Sequence, residues 1–218
     1  MRNEPMIRTV AESDQESVPP SIGHLRGFSF VSLIGAGRRC TVWRAQRGAE
    51  VVAVKLFNSH AIDKHASRHH EPLARFEFNR NRRLYAVPAV RKYIVRPINV
   101  VDCGRQQLLI QDVISGDSLS RFSTAASNRD RQRVCTQLAQ IVAAAHDVSI
   151  FDLDIHSGNV LITRDRKGHP NVMLFDFNKI PFHEHPPNAF AGVLVRFGWI
   201  RPESRDFRLL RALCRALA

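Results

Sequence analysis

Two aspartates and an asparagine in fixed order constrain this chain more than any other feature. Asp154-Ile155-His156-Ser157-Gly158-Asn159 runs into the apolar segment Val160-Leu161-Ile162, and Met173-Leu174-Phe175 leads into Asp176-Phe177-Asn178. Polar loops carry Asp and Asn routinely, so each residue alone would be structural. An Asp, four residues, an Asn, an apolar strand and a further Asp before Phe is the order that sets one base and two magnesium ligands around a cleft, as phosphoryl transfer requires. Asp154 is therefore the candidate base, with Asn159 and Asp176 as candidate metal ligands.

The first half of the chain supplies the other parts of such chemistry. Phe28–Ile34, Thr41–Ala45 and Val51–Phe57 are rich in β-branched and aromatic residues and separated by glycine-bearing turns, which predicts a three-stranded antiparallel start. Gly35-Ala36-Gly37 lies between the first two strands, where glycine lets backbone N–H groups approach phosphate oxygens; Cys40 stands at a third position where glycine would be usual. A Gly-x-Gly turn is more often only a hairpin. More specific is Val52-Ala53-Val54-Lys55, an ammonium embedded in an apolar strand, whose distance from the glycine turn suits a phosphate-binding role better than that of a lysine reaching out from a strand edge. Lys55 needs an acidic partner, for which Glu77 is the first choice and Glu71 the reserve. Leu73, Phe76, Arg80 and Leu84 predict one helix over Ala66–Tyr85 that ends before Pro88, with its basic end toward the C-terminus. Strands are predicted again over Ile94–Cys103 and Gln107–Val113, turning at Gly104.

Beyond Gly116 the pattern changes. Val134, Leu138, Ile141, Val142 and Ala145 predict an amphipathic helix over Arg129–His146, followed by short strands at Ile150–Phe151, Val160–Thr163 and Val172–Phe175. Phe207, Leu210, Leu213, Cys214 and Leu217 form a last apolar stripe, with Arg208, Arg211 and Arg215 off it. This reads as a docked helix, with a membrane-surface helix as the second reading.

From about Phe28 to Phe177 the chain resembles the protein-kinase superfamily. Asp154–Asn159 is similar to the catalytic loops of bacterial aminoglycoside and lipopolysaccharide-sugar phosphotransferases. Val101-Asp102-Cys103-Gly104, Gln111-Asp112-Val113-Ile114 and Leu84-Tyr85-Ala86 are similar to the bacterial YrbL family of the PhoP regulatory network. The resemblance implies an α+β, two-lobed kinase-like fold with an antiparallel sheet in the first lobe and a truncated, mainly helical second lobe. The expected limits are a disordered leader over 1–22, a domain over 23–218, and lobes of about 23–113 and 114–218. It also implies ATP and Mg2+ as cofactors. Lys55, paired with Glu77, would bind the α- and β-phosphates. Asp154 would orient or deprotonate the acceptor hydroxyl, and Asn159 and Asp176 would hold the metal. Gly35, Gly37, Val42, Ala53, Gln111, Asp112 and Ile114 would border the nucleotide, Gln111–Ile114 being the segment that joins the lobes. His156 would support the loop or touch the γ-phosphate.

There are departures from the pattern. Asp152-Leu153 replaces the usual His-Arg before the catalytic Asp, and Asn178 replaces the glycine after Asp-Phe. Trp199-Ile200-Arg201-Pro202-Glu203 is similar to the end of an activation segment, a likeness set aside because only one helix follows. The expected acceptor is a small molecule or a cell-envelope sugar-lipid, the alternative being a nucleotide-binding, pseudokinase-like regulator without significant turnover.

In 218 residues, 44% of them hydrophobic, one domain of two small lobes can bury a core. The formal charge of +12 suits any polyanion and selects none. Without a recognised binding module it gives no expectation of sequence-specific nucleic-acid binding. The four cysteines show no metal-binding spacing, and no run reaches the roughly 20 apolar residues of a membrane helix, so a soluble, cytoplasmic protein with reduced thiols is expected, with peripheral membrane contact as the exception. Oligomeric state leaves no mark in the sequence.

Overall fold

The computed structural model describes residues 27–103, 106–186 and 188–217; the expected leader over 1–22 and the turn at Gly104 lie outside them. The chain groups into two compact units, one of residues up to Phe78 with Arg96–Val113, the other of Asn79–Val95 with Ile114 onward. Residues 79–95 thus belong with the second unit, although the predicted first lobe runs unbroken to 113.

The first unit is built on five antiparallel strands, β1 (Ser29–Ala36), β2 (Cys40–Arg47), β3 (Glu50–Phe57), β4 (Pro97–Cys103) and β5 (Gln106–Asp112), in the order β1-β2-β3-β5-β4. Central β3 has Val52, Ala53, Val54 and Lys55 all buried, as expected of a strand covered on both faces. Ala45, Val52, Val54, Leu108 and Ile110 make one cluster, while Phe57 and Leu109 join Ala61, Ile62, Leu73 and Ala74 of the helices in another. Side chains alternate along a strand, so these two clusters mark its two faces.

Where a single helix over Ala66–Tyr85 is predicted, there are two, α1 (Ser59–Ala66) and α2 (Leu73–Tyr85). Asn58 starts the first: its side-chain oxygen accepts from Ala61 N at 2.8 Å, a local cap that satisfies a free helix N–H. Pro72 separates the two, because it lacks an N–H and disfavours helical geometry at Glu71. Helix α2 then ends at Tyr85, with Arg82 and Arg83 in its last turn.

In the second unit, β6 (Asp117–Ser118), β7 (Val160–Arg164) and β8 (Pro170–Leu174) form a small antiparallel sheet. The unit also holds α3 (Leu119–Ala125), α4 (Asn128–Asp147), α5 (Ala189–Arg196) and α6 (Ser204–Leu217). Ser127 caps α4 by accepting from Asp130 N at 3.1 Å. Leu138, Ile141, Val142 and Ala145 of α4 pack with Leu153, Ile155, Val160, Ile162, Val172 and Leu174 in one core. Ile150–Phe151 is not a strand: Ile150 N bonds back to Ala145 O at 2.8 Å and Phe151 O is taken by Arg80 Nη2, so neither pairs with a neighbouring strand. Leu210 and Leu217 of α6 are buried in that core with Leu213 and Cys214 against it, but Phe207, predicted on the same stripe, is 42% exposed. Burial and a hydrogen bond with Cys135 push the Cys214 thiol up to about 12. No helix among the described residues is long and apolar enough to cross a membrane.

Candidate active site

In the first unit the register of the sheet decides which residues share a face. Gly35 lies opposite Val42, Val42 opposite Lys55, Lys55 opposite Leu109, and Ala53 opposite Gln111. Directly opposed residues, and residues two apart on a strand, point to the same side. Gly35, Val42, Lys55, Ala53 and Gln111 therefore form one row across four strands. Lys55 Nζ donates to both Glu77 carboxylate oxygens at 2.9 Å. The pair is nearly sealed, at 4% and 1% exposure. Isolated charges there would be costly, so each fixes the direction of the other. Glu71 plays a different part: its backbone N donates to His69 Nδ1 and its carbonyl lies 3.0 Å from His65 Nε2.

The expected phosphate cradle is more self-contained than its glycines suggest. Gly37 N–H donates to Cys40 O at 2.9 Å, closing the β1–β2 turn, and a Cβ on Gly35 or Gly37 would meet only ordinary contacts within the protein. Neither glycine is required by packing, and the row they border carries no bulky side chain at Gly35 or Ala53. At the end of β5, Gln111 is buried, while Asp112 N donates to Arg96 O at 3.0 Å and its carboxylate pairs with Arg96 at 2.8 Å. Ile114 follows, at the start of the second unit's long segment.

In the second unit the β7–β8 hairpin does the positioning. Val160 pairs with Leu174, so the residues just outside that pair, Asn159 and Phe175, come together, and Phe175 N donates to Asn159 O at 3.2 Å. Asp176 follows directly. Asn159 Nδ2 donates to Asp154 O at 3.1 Å, which brings the loop of the candidate base to the same end of the hairpin. Asp152, Asp154 and Asp176 all hold left-handed backbone, with φ of 54°, 54° and 72°. Aspartate tolerates this region better than most residues, yet it remains a cost that the surrounding contacts must hold. His156 Nδ1 accepts from Gly158 N at 3.0 Å and caps the short turn of Ser157–Asn159, so it supports the loop. Asn178, in the place of glycine, donates from Nδ2 to Asp176 Oδ1.

Two contacts here cannot be read from motif spacing. Lys179 Nζ lies 2.5 Å from Asp154 Oδ1. Burial would raise the Asp154 carboxyl, but the hydrogen bond and charge of Lys179, together with His156 and Arg205, hold it below the usual carboxylate range. Asp206, fully buried on α6, accepts from Leu153 N at 2.8 Å and meets His146 Nε2 at 3.0 Å. Beside it Asp152 accepts from Phe182 N at 2.6 Å, and its other oxygen lies 3.2 Å from Arg205 Nε, a charge contact out of line for a hydrogen bond. Asp152 and Asp206 thus tie the loop to α6. The only sequence hint of this was an acid, Asp206, inside an arginine-rich helix start.

Among the described residues no group of three or more His, Cys, Asp or Glu could hold a metal alone. Asn159 and Asp176 offer instead an amide oxygen and a carboxylate, the hard-oxygen pair of a magnesium site that is completed by phosphate and water. That donor set fits a magnesium ion carried on nucleotide phosphates.

Such a sheet, with its buried lysine–glutamate pair, and such a loop pair are features of the two-lobed, α+β kinase fold. The family model of the protein kinase domain matches residues 28–203, and the chain belongs to that family. The match extends through Trp199–Glu203, so the likeness to the end of an activation segment, set aside on sequence grounds, lies within the family region. No curated protein sequence matches the chain. Among solved structures, that of Rad53 residues 1–466 in complex with AMP-PNP is similar in fold, with a TM-score of 0.61 at 17% identity over 88% of this chain. The chain corresponds to about half of that structure, 48% of its length.

Proposed function

We propose that the protein is an ATP- and Mg2+-dependent phosphotransferase that acts on a hydroxyl of a small molecule or a cell-envelope sugar-lipid. The observation that carries this reading is the gathering of Asp154, Asn159 and Asp176 at one end of the β7–β8 hairpin. ATP would supply the phosphoryl group, and the metal would neutralise charge on its phosphates. Lys55, aimed by Glu77, would bind the α- and β-phosphates, with Gly35, Gly37, Val42, Ala53 and Gln111–Ile114 bordering the nucleotide. Asn159 and Asp176 would hold the metal. Asp154 would orient the acceptor hydroxyl and take its proton, and its lowered pKa keeps it in the proton-accepting form at neutral pH. Lys179 would hold that carboxylate in position. The same proposal includes the narrower kinship with the bacterial YrbL family, supported by the sequence segments Val101–Gly104, Gln111–Ile114 and Leu84–Ala86.

The test is transfer of label from γ-labelled ATP, with magnesium, to cell-envelope lipid extract and to a panel of small hydroxyl compounds. Label is expected in a lipid or small-molecule product, and Asp154→Ala should lower it by about 10²-fold or more. Equal transfer by both proteins would refute the assignment of Asp154, and label on protein hydroxyls alone would refute the acceptor class. ATP binding with no transfer to any acceptor would favour the regulatory alternative.

A further inference from the structure

Helix α6 has two unlike sides. Asp206, Leu210 and Leu217 are buried in the unit's core. The outer side carries Phe207, Arg208, Arg211 and Arg215, which with Arg201 line an open groove of about 680 Å³. Glu203 is the single acid on its wall. The four arginines are exposed, and their guanidiniums make no hydrogen bond or ion pair with any described residue. Like charges at helical spacing repel one another, and a face meant only for water intersperses both signs. Such a face is complementary to a dense negative surface.

Helix α5 adds a second, apolar feature. Phe190, Val193 and Phe197 recur at helical spacing and are 71%, 49% and 70% exposed, and Trp199 is 78% exposed. From Ala189 to Val195 there is no polar side chain, and the first charge is Arg196. Exposed apolar groups thus predominate on α5 and cations on the outer side of α6, where Phe207 is the single aromatic. Single-stranded nucleic acid would call for aromatics interleaved with cations, base by base. A bilayer instead offers an apolar layer beneath a charged one, and tryptophan and phenylalanine favour the boundary between them.

We infer that α5, the turn over Phe197–Glu203 and the outer side of α6 form a docking surface for an anionic lipid bilayer. The exposed aromatics enter the acyl boundary and the arginines meet the headgroup phosphates. The inference does not depend on catalysis, since binding needs neither nucleotide nor acceptor.

Sedimentation of the full chain with vesicles of phosphatidylglycerol and phosphatidylcholine in equal parts, against pure phosphatidylcholine, measures it. Binding to the anionic vesicles alone is expected, weakening with added salt. Tryptophan emission should shift to the blue, and the shift should vanish in Trp199→Phe, because Trp43 is already buried. Replacing Arg208, Arg211 and Arg215 together by Glu should weaken binding by on the order of 100-fold or more without changing the melting curve. Absence of binding at low ionic strength, a blue shift that survives Trp199→Phe, or tighter binding of a single-stranded oligonucleotide than of the anionic vesicles at equal salt would overturn the inference.

Discussion

Asp154 shows how a single carboxylate is tuned here. Its burial favours the protonated form, and the ammonium of Lys179 at 2.5 Å, with the charges of His156 and Arg205, outweighs that burial. A base must be unprotonated to work, so the rate falls as pH drops through its pKa. Lys179→Ala removes the largest lowering influence and leaves the burial, so the acid limb of the pH profile of kcat/KM should move to higher pH, while Lys179→Arg should keep it near its original position. An acid limb unmoved in Lys179→Ala would mean that Lys179 does not set the state of Asp154. Lys55 and Glu77 obey a related logic in the first unit. Removing either partner leaves the other buried and unpaired, at about 3–5 kcal/mol, so stability must be measured alongside activity in any variant of the pair.

At the scale of elements, the short strand β6 is held against β7 by close backbone contact. A Cβ on Gly116 would sit 2.8 Å from Ile162 O, and a strand backbone cannot swing aside as a flexible side chain can. Gly116→Ala should therefore cost about 2 kcal/mol and lower Tm by about 5 °C; an unchanged Tm in a thermal melt would show that the strands separate freely there. Elements with a strong period were legible in the sequence: β3, with Lys55 in an apolar run, and α4, with its stripe of Leu138, Ile141, Val142 and Ala145. Spacing also indicated that Asp154, Asn159 and Asp176 gather, because loops of fixed length on paired strands leave little freedom, whereas for Lys55 it left Glu71 in reserve behind Glu77. Helix α5 was missed because an unbroken apolar run has no period. The break before α2 was written in Pro72 but masked by the apolar spacing that continues past it. Lys179 and Asp206 could not be found this way, since they reach Asp154 and Leu153 through tertiary packing rather than through any local pattern.

Across the whole molecule, the residues proposed for phosphoryl transfer are divided between the two units: Lys55 with Glu77 in the first, Asp154, Asn159 and Asp176 in the second. The central claim is that phosphoryl transfer from ATP needs both sets. Its most direct measurement is the single-turnover rate of γ-phosphoryl loss from magnesium ATP in the wild type, Lys55→Met and Asp176→Asn, each checked by thermal melt to be folded. Loss of about 10²-fold or more in each variant is predicted, since Lys55→Met removes the cation proposed for the α- and β-phosphates and Asp176→Asn the charged ligand proposed for the metal that neutralises them. A folded Lys55→Met or Asp176→Asn protein that turns over at the wild-type rate would contradict the account.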